Sequence, residues 1–223
     1  MIFFDIDDTL FDFATSEQEA FYKVFEKHNL VENLMLYKKS YKEISGGLWR
    51  RLEDGELSLA ELGSERFRKL FLEHQLEMDE VLFNQDYLTF LGEQTHLVPG
   101  AEKVITELSH KRLAVITNGY SDVQRSRIHH SPFKDAFEHV ITSENTGFQK
   151  PQTGIFDYAF DKLQITDKSN VLIVGDSLTS DIRGGSNYGI ATCWFNPNYK
   201  ENDTSIKPTY EIHSLEKLLE IVK

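Results

Sequence analysis

A chain of 223 residues, 40% of them hydrophobic, is long enough for one large domain or two modest ones with a real core. Its net charge of −12 argues against nucleic acid or an anionic membrane surface as the main partner, so an anionic substrate would have to be drawn in by local positive charge or a metal. A single cysteine, Cys193, excludes an internal disulfide and fits a reducing compartment, and the apolar stretch 190–195 around it marks a buried structural thiol.

The first informative stretch is Phe3-Phe4-Asp5-Ile6-Asp7-Asp8-Thr9-Leu10. A short apolar run that ends in acids reads as a buried parallel strand. Asp5 and Asp7 are two apart, which in extended backbone sends both side chains to one side. Two carboxylates crowded at a strand tip repel each other unless a cation or a proton separates them. With this cluster starting at residue 5, and with no run of the roughly 18 apolar residues that a membrane helix needs, the expectation is a cytoplasmic protein with no signal peptide and no membrane span.

From 15 to 92 the rhythm is helical. Ser16 with Glu19 has the pattern of a capping box, followed by Ala20, Phe21, Val24 and Phe25 at helical spacing. Residues 34–52 read as a second helix, open to a break at Gly46-Gly47. Ser58 with Glu61 is a second capping box, and Asp79 opens a fourth segment. No strand stands out, so this stretch is expected to be an all-helical insertion of roughly 75–80 residues, enough for a small bundle.

Beyond Pro99-Gly100 strands and helices alternate. Helices are predicted at 101–109, 121–129, 151–163 (with Pro151 in the first turn), 180–188 and 214–222. Strands are predicted at 113–116, 139–141, 171–174 and 191–195. That alternation gives an α/β fold with a doubly wound parallel sheet to which the first strand also belongs.

Four segments of this sheet end in polar residues: Asp5/Asp7/Thr9, Thr117-Asn118-Gly119, Lys150, and Asp176 with Asp181. In a parallel sheet they emerge on one edge, where function sits in open α/β folds. Four carboxylates against one ammonium call for a cation, and an all-oxygen ligand set favours Mg²⁺. Thr117, the Asn118 amide and Lys150 are donors suited to a phosphoryl group, and a carboxylate can attack it.

Asp5-Ile6-Asp7-Asp8-Thr9, Thr117-Asn118-Gly119, Lys150-Pro151 and the run from Gly175-Asp176 to Asp181 resemble, in order and spacing, the four motifs of the haloacid dehalogenase-like (HAD) hydrolases. The resemblance implies a Rossmann-like core made of 1–14 and 93–223, with 15–92 as a helical cap. It implies Asp5 as nucleophile, forming an aspartyl-phosphate. Asp7 would be general acid and then general base, its backbone carbonyl also touching Mg²⁺. Asp5 and Asp176 would be metal ligands, and Asp181 would hold the metal's water shell or Lys150. Thr117, the backbone at Asn118, and Lys150 would bind the phosphate, with Thr9 in support. Dehalogenases of the superfamily lack a carboxylate at the position of Asp7, because a halide needs no proton. An alkoxide does, so Asp7 points to a phosphatase.

A narrower resemblance, to a cytosolic pyrimidine 5'-nucleotidase group, is carried by Leu48-Trp49 with Gly55, Gln124 with Arg127, Ile155-Phe156-Asp157-Tyr158-Ala159 and Ala191-Thr192-Cys193-Trp194. It implies a pyrimidine nucleoside 5'-monophosphate as substrate. Trp49 or Tyr41 could stack on a base, packing of the cap's own core being the plainer role of each. Asp8 and Asp12 read as solvated or capping residues, and Gly184-Gly185 as close helix packing. Two alternatives stay open: a phosphatase or phosphomutase acting on sugar phosphates or other small phosphometabolites, and a non-enzymatic phospho-acceptor signalling domain.

Overall fold

A computed structural model describes residues 1–222. The apolar, β-branched and aromatic runs form six strands: β1 (Ile2–Phe4), β2 (Leu113–Thr117), β3 (Val140–Thr142), β4 (Leu172–Gly175), β5 (Ala191–Phe195) and β6 (Tyr210–Ile212). They make one sheet in the order β3-β2-β1-β4-β5-β6. Every neighbouring pair is parallel. Chain order runs outward from β1 to β2 and β3, then returns to start again at β4. The switch point therefore lies at β1, where open α/β sheets bind ligands beyond the strand ends.

Successive side chains point to opposite faces, and the core divides accordingly. Ile2, Phe4, Leu113, Val115, Leu172 and Val174 pack on one face, against α5 (Ala101–Glu107) and the C-terminal turns. Phe3, Ala114, Ile116 and Ile173 pack on the other, against α8 (Gly154–Lys162) and Tyr188 of α9 (Arg183–Tyr188). Complete burial of a side chain such as Phe3 is worth about 1.5–3 kcal/mol. Gly185 lets α9 lie close to the sheet, since a Cβ there would stand 2.5 Å from Ile173 Cγ2.

The chain divides into two compact units, Met1–Phe13 with Thr95–Lys223 and Ala14–Gln94. The second is all helical, built from α1 (Phe13–Lys27), α2 (Leu34–Glu53), α3 (Leu59–His74) and α4 (Glu80–Gly92). The Ser58–Glu61 capping box and the Asp79 cap form at the starts of α3 and α4. The core of this unit is aromatic: Phe67 sits 4.9 Å from Phe83 and 5.4 Å from Tyr87, ring to ring. Arg66 lies over the Tyr87 ring at 4.6 Å and donates to Asn84 Oδ1 at 2.6 Å. Among the described residues no helix is long and apolar enough to cross a membrane.

Several local expectations are corrected. Ser16 is not a cap: α1 already begins at Phe13, whose N–H donates to Asp8 Oδ1 at 3.1 Å, and Ser16 is buried inside the helix. Gly46-Gly47 does not break α2, because Tyr37, Tyr41, Leu48 and Leu52 on its buried face outweigh a helix penalty of about 1 kcal/mol per glycine. Tyr41 is 1% exposed, stacked 5.6 Å from Phe67, and so belongs to the bundle core rather than to a base-stacking surface; Trp49 is half-buried. Pro151 precedes α8 instead of opening it, because the Lys150 backbone is bonded to Asn118 rather than to a helical turn. The helix expected at 180–188 starts as a π-helical turn, Leu178–Ile182, before α9. The C-terminal segment is a 3-10 turn, Leu215–Lys217, followed by the short α10 (Leu218–Ile221). α7 (Ser143–Thr146) and β6 were not foreseen; both are too short to carry a periodic signal.

Candidate active site

Asp5 continues β1, its N–H donating to Val174 O of β4 at 2.9 Å. The chain then folds tightly on itself: the amides of Leu10 and Phe11 both donate to Ile6 O, at 2.8 and 3.0 Å. Asp8 takes the left-handed φ of 59°, which an aspartate tolerates better than most residues. The turn keeps Asp5 buried and Asp7 half-buried, and it buries Thr9, whose hydroxyl has no hydrogen-bond partner among the described residues.

Lys150 is the hub. Its side chain is 1% exposed, and Nζ lies 2.5 Å from Asp5 Oδ1, 2.7 Å from Asp181 Oδ1 and 2.6 Å from Ile116 O. Asn118 fixes the backbone beneath it. The side-chain amide donates to Lys150 O at 2.8 Å, and its oxygen accepts from Lys150 N at 2.7 Å. The Asn118 side chain, expected to offer a donor to phosphate, is thus committed to Lys150. Thr117 is buried beside it, Oγ1 accepting from Gln124 Nε2 at 3.4 Å.

Asp176 follows β4, and its carbonyl accepts from the indole N–H of Trp194 at 2.9 Å. Asp181 reaches back across Gly175, where an added Cβ would stand 2.2 Å from Asp181 Cγ; only glycine fits. Asp181 Oδ2 also accepts from Ser177 N at 3.1 Å. Carboxylate oxygens of Asp5, Asp176 and Asp181 all lie within 4.8 Å of one another.

The charge balance follows from this crowding. Burial pushes the Asp176 carboxyl well above the ordinary range, and the charges of Asp181 and Asp5 push it further. Burial raises Asp5 as well, against the opposing pull of Lys150. For Lys150 burial works against the charge, but Asp181 and Asp5 outweigh it and hold the ammonium protonated. If all three carboxylates were ionised, one ammonium would leave two negative charges uncompensated, which is why the acids are pushed up in the absence of a cation. An all-oxygen cluster of that charge fits a hard divalent cation of the Mg²⁺ kind.

Asp7 stands outside this cluster and has its own partners. Arg127 Nη1 donates to Oδ1 and Gln124 Nε2 donates to Oδ2, the latter at 2.7 Å. Both come from α6 (Ser121–His129), which Tyr120 joins to the Thr117-Asn118-Gly119 turn. In the sequence this pair reads as a mark of kinship, and its contact with Asp7 emerges from the structure. The signal was available: two residues three apart share a helix face, and an arginine on a buried face needs a carboxylate.

The structure thus brings Asp5, Lys150, Asp176 and Asp181 into one cluster. Asn118 supports it from below, and Asp7 and Thr117 are joined to each other through Gln124.

Comparison with known proteins agrees with the motifs. The family described as haloacid dehalogenase-like hydrolase matches residues 1–189. The HAD-hydrolase YfnB of Bacillus subtilis is 41% identical, covering 99% of this chain and 94% of its own length. Its crystal structure, bound to magnesium, superposes with a TM-score of 0.90 at 40% identity over 100% of this chain and 97% of that one. The pyrimidine 5'-nucleotidase PynA of Streptococcus pneumoniae is 34% identical over 98% of this chain and 93% of its own length. The pyrimidine 5'-nucleotidase YjjG of Escherichia coli is 31% identical over 99% and 96%.

Proposed function

The chain belongs to the haloacid dehalogenase-like hydrolases, and from that premise we propose that it is a Mg²⁺-dependent phosphatase acting on pyrimidine nucleoside 5'-monophosphates. The observation that carries the reading is the convergence of Asp5, Asp176 and Asp181 around Lys150, with Asp7 beside them. The nucleotide is supported by the near-complete overlap with PynA and YjjG. Magnesium is supported by the acidic cluster and by the bound ion in the YfnB crystal structure.

Asp5 and Asp176, with the backbone carbonyl of Asp7, would hold the ion. Bound there, Mg²⁺ neutralises phosphoryl oxygens that would otherwise repel the carboxylates. Lys150 engages Oδ1 of Asp5, so attack on phosphorus falls to Oδ2. The Asp5 O–P bond forms as the ester P–O bond breaks, and Asp7 passes a proton to the departing oxygen. A water then attacks the aspartyl-phosphate and gives a proton back to Asp7, which releases phosphate and restores Asp5. Thr117 and the Asn118 backbone receive the phosphoryl oxygens, while Lys150, whose three N–H bonds go to Asp5, Asp181 and Ile116 O, neutralises charge on them and on Asp5. Positioning with charge neutralisation does most of the work. Residues 15–92 serve as the cap of the core formed by 1–14 and 93–223. Cys193 is buried and free, which suits a reducing compartment, and the working location proposed is the cytoplasm.

The test is phosphate release in Mg²⁺ across nucleoside monophosphates, sugar phosphates and phospho-amino acids. A parallel assay follows interconversion of sugar phosphates. The expected result is release fastest from uridine or thymidine monophosphate, lost in Asp5→Asn with the fold intact. An Asp5→Asn variant keeping most of its activity overturns the nucleophile, and sugar-phosphate interconversion without release overturns the phosphatase.

A further inference from the structure

Both oxygens of the Asp7 carboxylate are held from α6, by Arg127 Nη1 on Oδ1 and Gln124 Nε2 on Oδ2. The two donors also order each other. Arg127 Nη1 donates to Gln124 Oε1 at 3.1 Å, so the amide must turn its NH₂ toward Asp7 and Thr117. Neither can drift. Gln124 is 2% exposed and Arg127 0%, and the guanidinium lies 4.6 Å over the Phe11 ring. Gly119 makes the room, since a Cβ there would stand 2.5 Å from Gln124 Nε2. The side chain they grip is itself 29% exposed, enough to swing among rotamers if released.

We propose that Gln124 and Arg127 are positioning residues for proton transfer, a two-pronged clamp that holds the Asp7 carboxylate where the departing oxygen of the ester will be. The inference rests on the phosphatase reading and deepens it. Proton transfer needs its partners within hydrogen-bond reach, and a carboxylate free to rotate spends most of its time elsewhere. Because Gln124 Nε2 also touches Thr117 Oγ1, the clamp joins the group that moves the proton to a group that receives the phosphate.

The role has a signature that simple loosening of the fold would not produce. A nitrophenolate leaves without needing a proton, whereas a nucleoside alkoxide needs one. Gln124→Leu is therefore expected to lower kcat for the best nucleotide by about 10–100-fold, part of the 10²–10⁴ that general acid–base catalysis supplies. Nitrophenyl phosphate should fall by less than about 3-fold, and KM for either ester should hardly move. In an Asp7→Asn background the same substitution should cost nothing further. Should Gln124→Leu fail to fold, Gln124→Met keeps the length of the side chain, removes the donor without adding a charge beside Asp7, and is read the same way. Equal losses on both esters, or additivity with Asp7→Asn, overturn the clamp and leave the phosphatase standing. A wild type that releases phosphate from neither ester overturns the phosphatase and the clamp with it.

Discussion

Lys150 Nζ stands 2.5 Å from Oδ1 of Asp5 across 145 residues of chain, in a site where neither side chain has appreciable access to water. The same ammonium serves Asp181 at 2.7 Å, so removing it would strand two buried carboxylates. Lys150→Met is expected to destabilise the protein by about 3–5 kcal/mol, the usual result of deleting one partner of a buried pair. Phosphate release should fall at least about 10²-fold. Thermal unfolding and a steady-state assay check both, and a variant of wild-type stability would mean that Lys150 does not neutralise the cluster.

Asp176→Asn separates the metal's role from that of the fold. Without a divalent cation, removing one of three mutually repelling acids should stabilise the protein, by about 0.5–2 kcal/mol. With Mg²⁺ the order should reverse, because only the native site gains stability by binding. Unfolding midpoints in chelator and in a Mg²⁺ series decide it. An equal response of both proteins to the ion would remove Asp176 from the ligand set.

Gly175 is a steric requirement of Asp181. A methyl at 175 would lie 2.2 Å from Asp181 Cγ, so Gly175→Ala must push that carboxylate off Lys150. The expected cost is about 1–3 kcal/mol of stability and on the order of 10²-fold in kcat. Calorimetry with turnover measurements tests this, and full activity at 175 would show that Asp181 can sit elsewhere without consequence.

Cys193 should be silent. Burial pushes its thiol up to about 12, so at pH 8 almost no thiolate is present in the folded protein. A thiol reagent should label it slowly in buffer and at once in denaturant. Rapid stoichiometric labelling of the native protein would contradict the packing of β5.

Ser58 accepts from Glu61 N while Glu61 returns a bond to Ser58 N at 2.7 Å. Ser58→Ala should cost about 0.5–2 kcal/mol in a denaturant titration and leave kcat unchanged. A change in kcat would give this helix end a part in turnover.

Much of the site was legible because its chemistry sits at strand ends. An apolar run that stops at an acid names both a buried strand and an exposed tip, so Asp5, Thr117 and Asp176 could be placed on one edge from local pattern alone. Caps were legible only where the side chain bonds its own turn: Ser58 and Asp79 did, whereas Ser16 shared the pattern and lies buried within α1. Gly46-Gly47 misled for a related reason, since propensity is local and the burial that overrides it is not.

Local pattern along the chain is enough to give the alternation of strands and helices, the helical insertion after β1, and the set of residues that could do the chemistry. Which atoms meet follows from the folded arrangement alone: Asn118 beneath Lys150, Asp181 over Gly175, and Gln124 with Arg127 on Asp7. Periodicity and turn chemistry act over a few residues, whereas these contacts join segments 32 to 120 residues apart, or turn on the path of a side chain within one turn. Such contacts exist only after the order β3-β2-β1-β4 has brought the strand ends together.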